Sequence, residues 1–388
     1  MSDPLRPVRP ALPFSGLLGD ELQRLHAEGL RRSLRAAPTG TVSFAENDYL
    51  GLRHHPDLAA SATAAAREWG CGSGSSRLIA GSSALTARLE SELAAFKGYE
   101  SALVFSTGYQ AAVGTLSALA GPGDEIYLDK LDHASLIDGA RLSGARVRAY
   151  PHGSTDKLKR LLQRPARGRR LIVSDGLFSM DGDLAPLVQL GELAREYGAG
   201  LMVDEAHATA CLGANGRGSA EALGAEHLVA ISMGTLSKAL GSLGGFICSS
   251  REVVDTLVNR ARSLIYTTAP APPQLAAALA ALQLCASDPA RRDRLARRSH
   301  ELLDGLARAG FDTGESVSHI VPVILGDNHA VLGAAAHLRE SGYHCPAVRY
   351  PTVPRGKARL RLSVCSEHRS EEIAGLIAAL VAWRDGRR

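Results

Sequence analysis

From about residue 84 onward, short apolar runs alternate with stretches of helical period, and no other feature limits the possible folds as tightly. The runs 101–105, 125–128, 146–150, 170–174, 200–204, 228–233 and 244–249 have strand length, and several end in glycine or polar turns. Helical stretches at 109–120, 134–143 and 186–197 separate many of them. Such alternation predicts an α/β fold: a mainly parallel, seven-stranded sheet with helices on both faces. Function is then expected in loops beyond the carboxyl ends of the strands.

Upstream, Leu18, Leu22, Leu25, Leu30 and Leu34 recur at helical spacing, which predicts a helix over 17–35 closed by the basic pair Arg31-Arg32. A short strand near 42–44 leads into Asn47-Asp48-Tyr49-Leu50-Gly51, and 57–69 is helical again. The rhythm breaks at Ala269-Pro270-Ala271-Pro272-Pro273. Helices at 274–286 and 289–309 follow, then a strand at 319–325, a helix at 328–341, strands near 344–348 and 358–364, and a closing helix at 370–383. The expected organisation is an N-terminal leader and helical arm (1–50), a large α/β domain (51–273) and a small α+β C-terminal domain (274–388). A chain of 388 residues buries a core without disulfide staples.

Composition removes several classes of function. Forty-four basic against 40 acidic side chains leave a net charge of +4, which gives no bulk attraction to nucleic acid. The clusters Arg167–Arg170 and Arg291–Arg298 read as solvated faces. The six cysteines form no C-x-x-C pair, so no metal site is expected and a reducing cytoplasm fits. No apolar run approaches the roughly 18 residues of a membrane span. The start, MSDPLRPVRPALPFSG, lacks the apolar centre of a signal peptide. Its prolines at 4, 7, 10 and 13 suit an extended leader, with a polyproline ligand as the alternative.

Three motifs carry chemistry. Gly70-Cys71-Gly72-Ser73-Gly74-Ser75-Ser76-Arg77 lacks the third glycine of a dinucleotide fingerprint and follows a helix, so it reads as a loop packed near a ligand or another subunit. Asp204-Glu205-Ala206-His207 spells a helicase signature, but the chain has no phosphate loop to accompany it. Asp204 instead ends a strand, where a buried carboxylate needs a cationic partner. The segment from Ser232 to Gly245 sets Lys238 among small, uncharged neighbours, which depresses an amine's pKa and makes it a nucleophile. Thr235, Ser237 and free backbone N–H groups suit a phosphate. An amine, a strand-end carboxylate and a phosphate cup are together what a pyridoxal phosphate site requires.

With these residues in view, the chain resembles the α-oxoamine synthases, fold-type I pyridoxal 5′-phosphate (PLP) transferases. The likeness runs from about Leu30 to the C-terminus. It is carried by Asn47–Leu52, His133-Ala134-Ser135-Leu136, Phe178–Asp183, Gly216-Arg217-Gly218, Thr235-Leu236-Ser237-Lys238 and Pro351-Thr352-Val353-Pro354. The resemblance implies that Lys238 forms the Schiff base and Asp204 pairs with the pyridinium nitrogen. It further implies that His207 bonds the phenolic oxygen and His133 stacks on the ring. Gly108, Tyr109 and Thr235 would contact the phosphate, with Ser179 beside the cofactor. In the family's homodimer, Thr267 or Thr268 would reach the phosphate across the interface. Asn47 and Arg361 would take the amino-acid carboxylate, and Arg31 and Thr352 the acyl substrate.

The implied reaction is decarboxylative condensation of a small amino acid, L-alanine first, with an acyl thioester, pimeloyl-CoA or a pimeloyl-carrier protein, on the route to biotin. Glycine- or serine-using members of the family, a natural-product acyltransferase, and a non-catalytic or nucleotide-binding α/β protein are the alternatives. Three departures from the family's pattern lie near the expected pocket: Asp175 in place of glutamate, Ala208-Thr209-Ala210-Cys211 in place of a glycine-containing run, and Glu46 in place of a small polar residue.

Overall fold

The computed structural model describes residues 13–27, 30, 31, 34 and 38–386. The proline-rich leader up to residue 12 and Arg32 lie outside them. The chain runs through α1 (Pro13–Ala27), β1 (Val42–Ser43), α2 (Pro56–Trp69) and α3 (Ala84–Lys97). It continues with β2 (Ser101–Phe105), α4 (Gly108–Leu119), β3 (Glu125–Asp129), α5 (Ala134–Leu142), β4 (Arg146–Tyr150), α6 (Thr155–Leu162), β5 (Arg170–Asp175) and α7 (Leu187–Glu196). Next come β6 (Gly200–Asp204), α8 (Ser219–Ala222), β7 (Ile231–Thr235), β8 (Gly245–Ser249), α9 (Arg251–Arg260) and α10 (Arg262–Ile265). The remainder is α11 (Pro272–Ser287), α12 (Ala290–Arg308), β9 (Ile320–Gly326), α13 (Asn328–Glu340), β10 (Tyr343–His344), β11 (Ala347–Val348), β12 (Ala358–Ser363) and α14 (Ser370–Asp385).

The central sheet has seven strands in the order β2-β8-β7-β6-β5-β3-β4. All run parallel except β8, which is antiparallel to both neighbours. Only nine residues join β7 to β8, too few for the crossover that a parallel return needs. Apolar side chains fill both faces. Leu116, Ile126, Leu136, Ile247 and Leu257 form a core with α4, α5 and α9, and Tyr127, Leu158, Ile172, Leu190 and Val203 form one with α6 and α7. A further continuous core links α2, α3 and α11 to α12, α14 and the β11-β12-β9 sheet. β1 pairs with β10, tying the N-terminal segment to the C-terminal one.

Three elements differ from the sequence expectation. The first helix begins at Pro13, where the missing N–H is harmless, and ends at Ala27, eight residues short of Arg35. Leu30 and Arg31 both donate back to the Leu25 carbonyl, and Leu18 and Leu22 stay about half exposed, so no core of this chain extends the helix. The strand expected at 228–233 forms at Ile231–Thr235, because Glu226–Leu228 turn as a short 3₁₀ helix whose Leu228 packs on Gly191 of α7. The strand near 344–348 is two pieces with different partners, β1 for β10 and β12 for β11. No described helix is long and apolar enough to cross a membrane.

Gly182 latches the loop after β5 to the entrance of β9. Its φ is +74°, its carbonyl accepts from Ser318 Oγ at 2.8 Å, and an added Cβ would collide with the Ile320 carbonyl oxygen. Gly182→Ala combines left-handed strain with backbone overlap, and about 2–5 kcal/mol of stability should be lost. Urea unfolding measures this, and a loss below about 1 kcal/mol contradicts the latch.

Candidate active site

Three parallel strands end side by side in acidic or hydroxyl residues: Asp175 on β5, Asp204 on β6 and Thr235 on β7. Asp175 is the registered neighbour of Asp204, and both are buried. Asp204 Oδ1 accepts from the Ala206 N–H at 2.9 Å, and its second oxygen has no donor among the described residues. Burial raises the Asp204 pKa, with Lys238 opposing. Burial and the neighbouring Asp204 hold the Asp175 carboxyl well above the ordinary range.

Lys238 lies in the bend that follows β7. Burial lowers its pKa to about 8, against the attraction of Asp204 and Asp175. Its Nζ stands 2.7 Å from His207 Nε2. On the other side of that ring, Nδ1 is 2.6 Å from the Tyr49 hydroxyl. Burial, then Lys238, holds the His207 pKa well below its usual value, so the ring is neutral.

His133 caps α5. Its Nδ1 accepts from the Ser135 N–H at 3.2 Å and lies 2.7 Å from Ser135 Oγ. A nitrogen that accepts a backbone N–H carries no hydrogen, so the neutral ring bears its proton on Nε2. The ring is partly open to solvent, and burial lowers its pKa while Asp204 opposes.

Lys238, Asp204, His207, His133, Gly108, Tyr109, Thr235, Ser237 and Asp175 all line one cavity of about 240 Å³. Gly108 opens α4 and offers that helix's N-terminal N–H groups. The Gly108 end of the helix packs against the Thr235 side chain of β7. Thr235 Oγ1 lies 2.7 Å from Ser237 Oγ and donates to the Gly244 carbonyl at 2.8 Å. The Tyr109 hydroxyl donates to Asp138 at 2.8 Å.

A second, larger cleft of about 870 Å³ shares His133 with the first. Ser179 and Thr352 line it, together with Lys130, His152, Lys357 and Arg359. Arg361, on β12, is buried and, like Asn47, lines neither cavity, but it is bonded to residues next to both. It donates from Nε to the Ser179 carbonyl, from Nη1 to Ser363 Oγ at 2.7 Å and from Nη2 to Asn47 Oδ1 at 3.3 Å. The Tyr49 hydroxyl is a fourth partner of this guanidinium.

Other candidates stand elsewhere. Arg31 is exposed and lines neither cavity. Thr267 accepts from Gln110 Nε2 at 3.4 Å and the Thr268 carbonyl accepts from Ser106 Oγ at 2.9 Å, so both lie outside this chain's own cavity. Glu205 accepts from the Ser219 and Ala220 N–H groups and caps α8, a structural use of the helicase-like run. The basic clusters are engaged in ion pairs, as in Arg169–Asp124 and Arg291–Glu367. No described residues form a metal-binding group of three or more His, Cys, Asp or Glu.

Sequence reading did not single out Tyr49, Ser135 or His319. The first two sit inside quoted motifs, which were the available signal. His319 gave none: it is a lone buried histidine whose ring packs on Tyr49 at 4.1 Å.

The cavity fits PLP on its own chemistry. An amine with a lowered pKa faces a buried carboxylate that lacks a donor for one oxygen, and a helix N-terminus lies beside paired hydroxyls. Fold and site together define a fold-type I PLP transferase architecture. The sequence profile of the aminotransferase class I and II family matches residues 39–380, and the chain belongs to that family. It is 46% identical over 387 residues to the 8-amino-7-oxononanoate synthase of Geobacter metallireducens, covering 96% of this chain and 99% of the relative. Among solved structures, SPT with a PLP internal aldimine superposes with a TM-score of 0.89 at 31% identity, covering 96% of this chain and 98% of the other. An 8-amino-7-oxononanoate synthase from Francisella tularensis gives 0.78 at 27% identity, covering 90% and 99%.

The charge on Lys238 should titrate early. A midpoint near 8 is expected for its ammonium, read by NMR of ¹³C-methylated protein with Lys238→Ala to assign the signal. Asp204→Asn removes the anion that retains the proton, so the midpoint should fall further. An ordinary lysine midpoint above 10 contradicts the burial argument.

Proposed function

We propose that this chain is an α-oxoamine synthase that condenses L-alanine with a pimeloyl thioester, giving 8-amino-7-oxononanoate, carbon dioxide and free thiol in biotin biosynthesis. The observation that carries this reading is the convergence on one cavity of the Lys238 amine and Asp204, with the Asn47–Arg361 pair beside it and the larger cleft opening at His133. Relatives about 45% identical over most of the chain are named for that activity. The cofactor is PLP, held by Lys238, by Asp204 at the pyridinium nitrogen and by the Gly108, Tyr109 and Thr235 end at the phosphate. Bound there, it supplies an electron sink for a carbanion at the amino-acid Cα.

The chain's own residues do the rest. Arg361 receives the alanine carboxylate on its guanidinium, and Asn47 supports it. Lys238, whose amine loses its charge near pH 8, takes the Cα proton onto Nζ. Asp204 stays ionised opposite the charge that this withdraws. When Cα bonds to the acyl carbon, negative charge builds on the thioester oxygen, and His133 donates Nε2–H to it. The thiolate leaves and takes up a proton. Loss of the carboxylate as carbon dioxide leaves Cα to be reprotonated from Lys238.

The acyl chain occupies the larger cleft, with Ser179 and Thr352 on its wall. In that cleft the charges of His152 and Arg359 are matched by Asp129 with Asp183 and by Asp181. Lys130 and Lys357 have no ion-pair partner among the described residues, and neither do Asp312 and Glu315 on the same wall, so the cleft offers an acyl chain both cationic and anionic groups. A homodimer is part of the reading. Leu78, Ile79, Leu243 and Tyr266 are exposed apolar side chains that suit an interface, and Thr267 or Thr268 would serve the partner's phosphate. Six unpaired cysteines suit the cytoplasm.

Two experiments test this. Purified protein should bind PLP with a yellow colour that Lys238→Ala loses, and should release thiol and carbon dioxide from L-alanine with a pimeloyl thioester. Stronger turnover with glycine or serine overturns the alanine assignment. Arg361→Lys keeps a cation but cannot pair two oxygens, so KM for alanine should rise about 10-fold or more. An unchanged KM removes Arg361 from the carboxylate site.

A further inference from the structure

Tyr49 is wholly buried, and its hydroxyl stands where two halves of the site meet. It lies 2.6 Å from His207 Nδ1 and 3.0 Å from Asn47 Oδ1. Asn47 Oδ1 also accepts from Arg361 Nη2 at 3.3 Å, and His207 Nε2 is 2.7 Å from Lys238 Nζ. A continuous line of contacts therefore runs from the guanidinium to the amine through Tyr49 and His207, with Arg361 meeting the Tyr49 hydroxyl both directly and by way of Asn47.

Hydrogen counting along this line permits two arrangements. A phenol has one hydrogen and a neutral imidazole has one. If Tyr49 donates to Asn47, then His207 donates from Nδ1 to the tyrosine oxygen, and its bare Nε2 accepts from Lys238. If Tyr49 donates to Nδ1, the imidazole hydrogen sits on Nε2, which becomes a donor toward the cavity. An acceptor oxygen bound at Nε2 requires the second arrangement, and a Tyr49 hydrogen held on Asn47 enforces the first.

We propose that Tyr49 is a positioning residue that couples the carboxylate clamp, Asn47 and Arg361, to the amine centre, its single hydrogen selecting which nitrogen of His207 carries the proton. The inference rests on the functional reading above. His319 packs its ring on Tyr49 at 4.1 Å, and its Nε2 has no hydrogen-bond partner. It therefore fixes the phenol's place without competing for its hydrogen. Burial holds His319 to a pKa of about 3, so it brings no charge of its own at neutral pH.

The test reads the bound cofactor's absorbance and needs no thioester. The groups that face His207 are Lys238, Arg361, His319 and His133, and those that face Lys238 are Asp204, Asp175, Arg361 and Cys211. All remain in Tyr49→Phe, which keeps the ring and removes only the hydroxyl. Wild type, Tyr49→Phe, His207→Asn and the double variant are titrated with pH while PLP is bound. Alanine affinity is read from the accompanying absorbance change.

Tyr49→Phe should retain colour, move the absorbance midpoint by about 0.5 pH unit or more, and weaken alanine binding about five-fold. Adding it to His207→Asn should move the midpoint no further, because the link is already cut. Asn47→Ala, which leaves Tyr49 intact, should also shift the midpoint, although Asn47 touches neither His207 nor Lys238. Unchanged midpoints in Tyr49→Phe and Asn47→Ala, or shifts that add in the double variant, overturn the coupling. A colourless wild type sinks the functional reading and this inference together, whereas a coloured wild type with unshifted variants sinks this inference alone.

Discussion

An amine and a carboxylate held together inside the protein set the terms for the rest of this structure. Neither Asp204 nor Lys238 is a cheap group to bury, and each alone shifts its pKa toward neutrality. The fold makes the pair tolerable by placing Asp204 at the last residue of β6 and Lys238 in the bend after β7, the neighbouring strand. Parallel strands bring such ends to one edge, and helices on both faces keep water from them. The seven-stranded sheet is in this sense a device for bringing 204 and 238 together.

The same edge carries more carboxylates than the amine can balance. The Asp132 carboxyl accepts from the Asp175 N–H at 2.9 Å and from the Asp129 N–H at 2.8 Å, while Asp175 accepts from the His133 N–H at 3.3 Å and stands beside Asp204. Burial drives the Asp132 and Asp175 pKa values up, and a neighbouring carboxylate adds to each, Asp175 to Asp132 and Asp204 to Asp175. A negative charge costs least on Asp204, which the Lys238 amine attracts. The shorter Asp175, where the family usually has glutamate, therefore bears on the field around Asp204 and on the placing of His133. Its backbone hydrogen bonds keep the strand end in register with the loop that caps α5.

The sheet was legible because its strands are short apolar runs cut off by glycine or polar turns, and most fell within a residue or two of their places. Where Leu228 and Val229 extended an apolar run, periodicity placed the strand too early, since those side chains cover α7 instead of pairing. The leucine spacing of the first helix was real but did not determine its length, because Leu18 and Leu22 meet no core within this chain. At the site, Lys238 and Asp204 stood out by their local settings and His207 and His133 by the family's motifs, and all four line one cavity. Tyr49 and His319 were not, because what matters about them is a contact across 158 residues in one case and a tilted ring contact across 270 in the other. No local pattern encodes such contacts.

That long reach draws three distant segments of the chain into one construction. Asn47 and Tyr49 come from the N-terminal segment, His207 and Lys238 from the central sheet, and Arg361 from β12 near the C-terminus. For these five to hold positions within hydrogen-bond distance, the three segments must be fixed against one another. β1 pairing with β10, the Phe44 carbonyl accepting from the Ser363 N–H, and the Tyr49 carbonyl accepting from the Ser366 N–H do that at the outer end. Gly241 does it at the inner end, where an added Cβ would lie 2.7 Å from the Arg53 nitrogen, so only a glycine lets the loop after Lys238 approach the segment after Tyr49. The glycine at 241 thus belongs to the same construction as the chemistry: it lets the backbone that carries Lys238 close against the backbone that carries Tyr49.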